Sequence, residues 1–239
     1  MNIINKPAGD YLRMLKDKES FSFSRYWDGE ISAIVRQMTF DGKIGINCDG
    51  CKYLPELRDG LVKSILNNKP YFHAICWPEY HIGTINLRKQ FEEWLNAMDS
   101  KVEWYDFLVW QRMVEAGNFR VVTRILDERE CFFIAGNHLL PSVRLIHNSK
   151  FYEIPKVDAI TSRVDIENFI IQTCKSVDKP VFILCAGMAS NVIIDELYDV
   201  IPNATMIDMG SVWDALCGLK TRKWIRMIPE DVLKRNING

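Results

Sequence analysis

The stretch Val181-Phe182-Ile183-Leu184-Cys185, followed at once by Ala186-Gly187-Met188-Ala189-Ser190-Asn191, decides the architecture. Five apolar residues in a row read as a strand covered on both faces, not one that alternates between core and water. The small residues after it make a tight turn, and Ala189 to Tyr198 then reads as a helix. A second apolar strand, Thr205 to Met209, follows within a few residues. Strand, helix and strand at this spacing form a parallel crossover unit.

The same alternation extends outward. Cys131 to Ala135 and Phe151 to Ile154 read as strands, and Ser162 to Asp165 as a capping-box-like start to a helix carrying Ile166, Phe169, Ile170 and Cys174. Toward the N-terminus, Phe21 to Ser24 alternates Phe and Ser as a strand would, and Ile31, Ile34, Val35 and Met38 recur at helical spacing. Pro55 to Asn67 predicts a helix, Tyr71 to Cys76 a strand, and Leu87 to Met98 another helix. Trp104 to Leu126, broken at Ala116-Gly117-Asn118, reads as two helices. The expectation is an α/β fold: a mostly parallel sheet with helices on both faces.

Composition agrees and excludes several classes. The 239 residues carry 30 Lys+Arg against 31 Asp+Glu and are 48% hydrophobic, too apolar for a disordered chain. The longest apolar stretch, Val181 to Ala189, is about half of what a membrane span needs. The segment MNIINKPAGD has no apolar secretory core, so a cytoplasmic location is expected. A net charge of −1 gives no field to hold a nucleic-acid polymer. No repeat or long linker divides the chain, which predicts a single domain over residues 1–239.

Of seven cysteines, Cys131, Cys174 and Cys185 lie in apolar surroundings and read as small core residues. Cys48 and Cys51 form the only C-x-x-C pair. A zinc site there would draw on His73, Cys76 and His81, whose spacing is irregular, and the plainer reading is an Asp-Gly turn between two cysteines.

In parallel sheets, ligands bind where strands end and helices begin. Three such loops stand out. In Arg25-Tyr26-Trp27-Asp28-Gly29-Glu30, two carboxylates two residues apart can meet at one point and hold Mg²⁺ or Mn²⁺ with phosphate oxygens, while Arg25 adds a phosphate contact. The competing reading makes Asp28 a helix cap and Glu30 a complement to the helix dipole. In Gly187 to Asn191, free N–H groups at a helix start suit an anion, though an ordinary turn capped by Ser190 has the same sequence. The third loop carries Asp208, Gly210, Ser211, Trp213 and Asp214; Asp208, 21 residues after Gly187, stands where a nucleoside-binding unit places its ribose-binding acid. His138 follows the strand Cys131 to Ala135 at the same end of the sheet and is an acid/base candidate or a polar edge residue. Trp27 and Trp213 sit where a ring could stack on a base or sugar. Lys220 to Arg226 reads as a solvated basic face, or as an attractor of an anionic acceptor.

Together these loops resemble the GT-D glycosyltransferases, whose anchoring motif is an Arg-aromatic-Gly-Asp-Gly-Glu loop after the first strand. Here it stands as Arg25-Tyr26-Trp27-Asp28-Gly29-Glu30, with Val181 to Asn191 and Asp208-Met209-Gly210 in the positions of the later family motifs. The resemblance covers residues 10 to 217 and leaves 218 to 239 as a C-terminal extension. It implies a Rossmann-like fold and a metal-dependent transferase using a nucleotide-diphosphate sugar, typically a UDP-sugar. Asp28 and Glu30 would hold Mn²⁺ or Mg²⁺. Arg25, Trp27, Gly187, Met188, Ser190, Asn191 and Gly210 would contact the donor, and Asp208, Asp214 and His138 are candidates for the base or for acceptor contacts. Departures are Trp27 before Asp28, AGMAS in the second loop, and Ser211 where a His is frequent. The acceptor would be a glycan or glycoconjugate, bound by this domain, by a partner or across a homo-oligomer. Two other expectations remain: an S-adenosylmethionine methyltransferase using Gly187 and Asp208, and a non-catalytic module that binds a nucleotide or glycan.

Overall fold

The computed structural model describes residues 1–36, 39–40, 43–44, 50, 52–76 and 82–238. Its strands are β1 (Ile3–Ile4), β2 (Ser22–Tyr26), β3 (Thr39–Phe40), β4 (Lys43–Ile44), β5 (Phe72–Ile75), β6 (Trp104–Asp106), β7 (Cys131–Ala135), β8 (Ser149–Glu153), β9 (Val181–Cys185) and β10 (Thr205–Asp208). The helices are α1 (Ala8–Lys16), α2 (Asp28–Arg36), α3 (Pro55–Leu66), α4 (Ile82–Ala97), α5 (Val109–Glu115) and α6 (Arg120–Asp127). After them come α7 (Arg163–Ser176), α8 (Ala189–Leu197), α9 (Val212–Leu216), α10 (Lys223–Met227) and α11 (Glu230–Asn238). Strands β3 and β4 pair as a small antiparallel ribbon. The other eight form one wholly parallel sheet in the order β1-β6-β5-β2-β10-β9-β7-β8. The fold is α/β and Rossmann-like.

Period-two alternation with apolar residues on both sides explains the two layers. Phe182 and Leu184 of β9 face one cluster, with α2, α3, α4, α7 and α8, while Val181 and Ile183 face the other, with α1, α5, α6 and α9. Strand β7 divides the same way, Phe132 and Ile134 against Cys131, Phe133 and Ala135. On the first face α3 and α8 approach closely: a Cβ on Gly60 would lie 2.6 Å from Val192 Cγ1.

The connections position the site. From β2 the chain moves through β5 to β6 on one side, and it returns to the centre through β9 and β10 from the other. Neighbours β2 and β10 therefore send their following helices to opposite faces, α2 to one cluster and α9 to the other. This is a topological switch point, and it opens a crevice at the carboxyl ends of β2 and β10.

One expectation is corrected. Trp104 to Asp106 is a strand, not the start of a helix, because it pairs with His73 to Ile75. In the C-terminal extension, Asn236 Oδ1 accepts from the Phe119 N–H (2.8 Å), and its Nδ2 donates to the Val114 carbonyl (2.8 Å), locking α11 onto α5 and α6. No helix among the described residues is long and apolar enough to cross a membrane.

Candidate functional site

Arg25, the fourth residue of β2, and Asp208, the last of β10, meet across the crevice. Arg25 Nη2 donates to Asp208 Oδ1 at 3.2 Å, with the two side chains 12% and 6% exposed. Gly210 makes this approach possible: its φ is +44°, and a Cβ there would lie 1.8 Å from Arg25 Nη2. The guanidinium also stacks over the Phe107 ring, 4.7 Å from its centroid. Burial pushes the Asp208 carboxyl up, and Arg25 pulls it back down.

The loop after β2 supplies the other acids. The Trp27 carbonyl accepts the first turn's bond from Ile31 N–H, so Trp27 occupies the cap position of α2. Glu30 Oε2 reaches back to accept from the Trp27 N–H at 2.9 Å, which is the Glu half of a capping box. Capping thus falls to Glu30, whereas the sequence had offered Asp28. Asp28 is exposed, and its Oδ1 accepts from the Gly29 N–H at 2.9 Å. Glu30 keeps some accessible surface, yet protein atoms crowd it enough that burial raises its pKa from 4.5 to about 7. The Trp27 N–H opposes that rise, and the nearby charges of Asp208 and Asp28 add to it. Three carboxylates therefore share one field, with Arg25 as its counter-charge.

The second loop lies beside them. Gly187 is exposed with φ +57°, while Met188, Ser190 and Asn191 are buried. Ser190 Oγ accepts from the Ala186 N–H (3.2 Å), so it closes the turn from within and does not cap α8. Asn191 Nδ2 donates to the Arg25 carbonyl (2.6 Å), tying β2 to α8, and its Oδ1 is a buried acceptor with no protein partner.

A third group flanks the crevice. His138 Nε2 lies 3.9 Å from Asp214 Oδ1, and the Thr221 hydroxyl donates to Asp214 Oδ2 at 2.5 Å. Cys185 bridges the two halves: its thiol is raised by burial and by the charges of Asp208 and Asp214, and lowered by Arg25. Trp213, expected in a stacking loop, is instead fully buried edge-on against Phe119 and Phe133, and its indole N–H faces Met209 Sδ at 3.3 Å. Trp27 does reach the crevice rim, edge-on to Phe107 at 4.9 Å.

Sequence reading missed Phe107, which touches both Arg25 and Trp27; it follows the strand that was taken for a helix. Among the described residues no group of three or more His, Cys, Asp or Glu is arranged to hold a metal ion. Cys48, Cys51 and His81 lie outside the described residues. His73, a candidate fourth ligand, is buried with Nε2 on the Lys69 carbonyl (3.1 Å) and its ring stacked on Tyr71. No family model matches the chain, and no curated protein or solved structure matches it.

Proposed function

We propose that the chain is a metal-dependent glycosyltransferase that moves a sugar from a nucleotide-diphosphate sugar, a UDP-sugar by preference, to a hydroxyl of a glycan acceptor. The observation that carries this reading is the convergence of Asp28, Glu30, Asp208 and Arg25 at the crevice between β2 and β10. Donors and acids at a switch point suit a ligand that is both phosphorylated and rich in hydroxyls. Asp28 and Glu30 are the pair that would hold a divalent ion. They fit a hard cation, because they offer only oxygen ligands and because Glu30, raised to about 7 chiefly by burial and further by the charges of Asp208 and Asp28, lacks a cationic partner among the described residues that would favour its ionised form. Such an ion, when bound, neutralises charge on the departing pyrophosphate.

The chain's own residues do the rest. Arg25 is fixed by Asp208 and Phe107, so its remaining guanidinium N–H groups meet a phosphate without first being ordered. The orphaned Oδ1 of Asn191 accepts from a ligand hydroxyl or N–H. Trp27 presents a ring at the rim for a base to lie against. Asp214, oriented by Thr221 and facing His138, stands on the acceptor side, with His138 as the proton-accepting group to test first. The methyltransferase alternative fits less well, since it needs Asp208 open to a ribose and finds no use for Asp28 and Glu30.

A thermal-shift panel of UDP-, GDP- and dTDP-sugars and S-adenosylmethionine, each with and without Mn²⁺, followed by a transfer assay on every hit, tests the reading. A Mn²⁺-dependent shift with a UDP-sugar, and turnover lost in Asp28→Ala and Glu30→Ala, is expected. Unchanged metal-dependent turnover in both variants overturns it, and binding without turnover makes the chain a recognition module.

A further inference from the structure

The stretch from Ala215 to Pro229 contains Lys220, Arg222, Lys223 and Arg226 and no acid, in a chain that has 30 Lys+Arg against 31 Asp+Glu overall. Arg222 is engaged elsewhere in the protein and is set aside. Lys220, Lys223 and Arg226 are exposed, and no ion pair among the described residues uses them. Beside them Met227 is 72% exposed, the most exposed large hydrophobic residue among the described residues, and Trp224 is half-buried. Ile225 is buried and pins α10 to the core, and Trp224 and Ile228 pack against the same cluster while staying partly exposed.

The segment is held in place. Thr221 donates to Asp214, the Leu219 N–H donates to the Asp214 carbonyl (2.8 Å), and Arg226 Nη1 donates to the Lys220 carbonyl (3.1 Å). Asp214 is also the acid that faces His138, so the basic surface is fastened to the His138 side of the crevice.

We infer that residues 220–227 dock the protein on an anionic lipid surface, with Lys220, Lys223 and Arg226 on the headgroups and Met227 and Trp224 at the headgroup–acyl boundary. A soluble phosphate would account for the cations alone. An exposed thioether and a half-exposed indole among cations, with no carboxylate in the segment, match a surface that is charged above and apolar just below. Each basic residue near an anionic leaflet strengthens binding about fivefold, so the three together contribute on the order of 100-fold. This inference does not depend on the sugar-transfer reading.

Co-sedimentation of the full chain with phosphatidylcholine vesicles, with and without phosphatidylglycerol, at low and high salt, tests it. Binding only to the anionic vesicles and weakened by salt is expected. The triple variant K220E/K223E/R226E should lose it by about 100-fold or more, and Met227→Ser should weaken it several-fold with the charges intact. These side chains are on the surface, so thermal unfolding of the variants should match the wild type. Absence of binding to anionic vesicles overturns the inference, as does binding that the triple variant retains. Binding that soluble polyphosphate competes away, and that Met227→Ser leaves unchanged, assigns the surface to a free phosphate instead.

Discussion

Glu30→Gln isolates the electrostatic stress at the crevice. The amide oxygen of Gln can still accept from the Trp27 N–H, so the helix cap survives while the titrating group is removed. In the folded protein Glu30 holds its proton up to about pH 7, whereas the unfolded chain releases it near 4.5. Between those values the native state binds the extra proton, so stability falls as pH rises, and the loss is complete above pH 7. That interval corresponds to about 3 kcal/mol, and solvent reaching the carboxyl reduces it to about 2. His73 acts in the opposite sense. Burial lowers its pKa from 6.5 to about 4, so the unfolded chain binds the extra proton and stability rises with pH across that interval. In the wild type the two slopes nearly cancel between pH 4.5 and 6.5. In Glu30→Gln only the His73 slope of these two remains. Urea unfolding of both proteins at pH 4.5, 6 and 8 should show a small difference at the lowest pH. At pH 8 the variant should be about 2 kcal/mol more stable, with its Mn²⁺-dependent turnover lost. A difference that does not vary with pH, or a wild type that is the more stable at pH 8, would refute the reasoning.

Gly210→Ala places a Cβ 1.8 Å from Arg25 Nη2 at a left-handed φ. It should cost about 2–3 kcal/mol in chemical denaturation, part strain and part the displaced ion pair, and abolish any nucleotide-sugar thermal shift. Gly60→Ala forces a methyl to within 2.6 Å of Val192 and should cost about 1–3 kcal/mol. A double-mutant cycle with Val192→Ala should recover most of that loss, because the clash is with that side chain. Asn236→Ala strands the Phe119 N–H and removes one of the two donors to the Val114 carbonyl, and should lower stability by about 2 kcal/mol and speed hydrogen exchange at the Phe119 amide.

The chain's linear pattern carries much of this. Val181 to Cys185 forms a strand with the bounds its composition implies, and Cys131 to Ala135 does the same, since a strand covered on both faces must be apolar throughout. The strand at Trp104 was illegible because three residues have no periodicity. Its aromatic residues adjoin a true helix, and only pairing with β5 settles its state. Trp213 was misread for a related reason. A residue five positions past a strand end can point to the crevice or back to the core, and α9 turns it inward.

By itself, then, the sequence determined the α/β class, the two-sided core and the presence of acids and glycines at strand ends, because apolar periodicity and turn chemistry are local. Which of those ends lie together was decided by the strand order. Arg25 and Asp208 are 183 residues apart and meet only because β2 and β10 are neighbours whose helices leave to opposite faces. The burial that holds the proton on Glu30, the glycine that admits Arg25 beside Gly210 and the fastening of residues 220–227 to Asp214 are likewise products of packing. Each depends on the desolvation and contact of groups distant in the chain, and no local pattern encodes that.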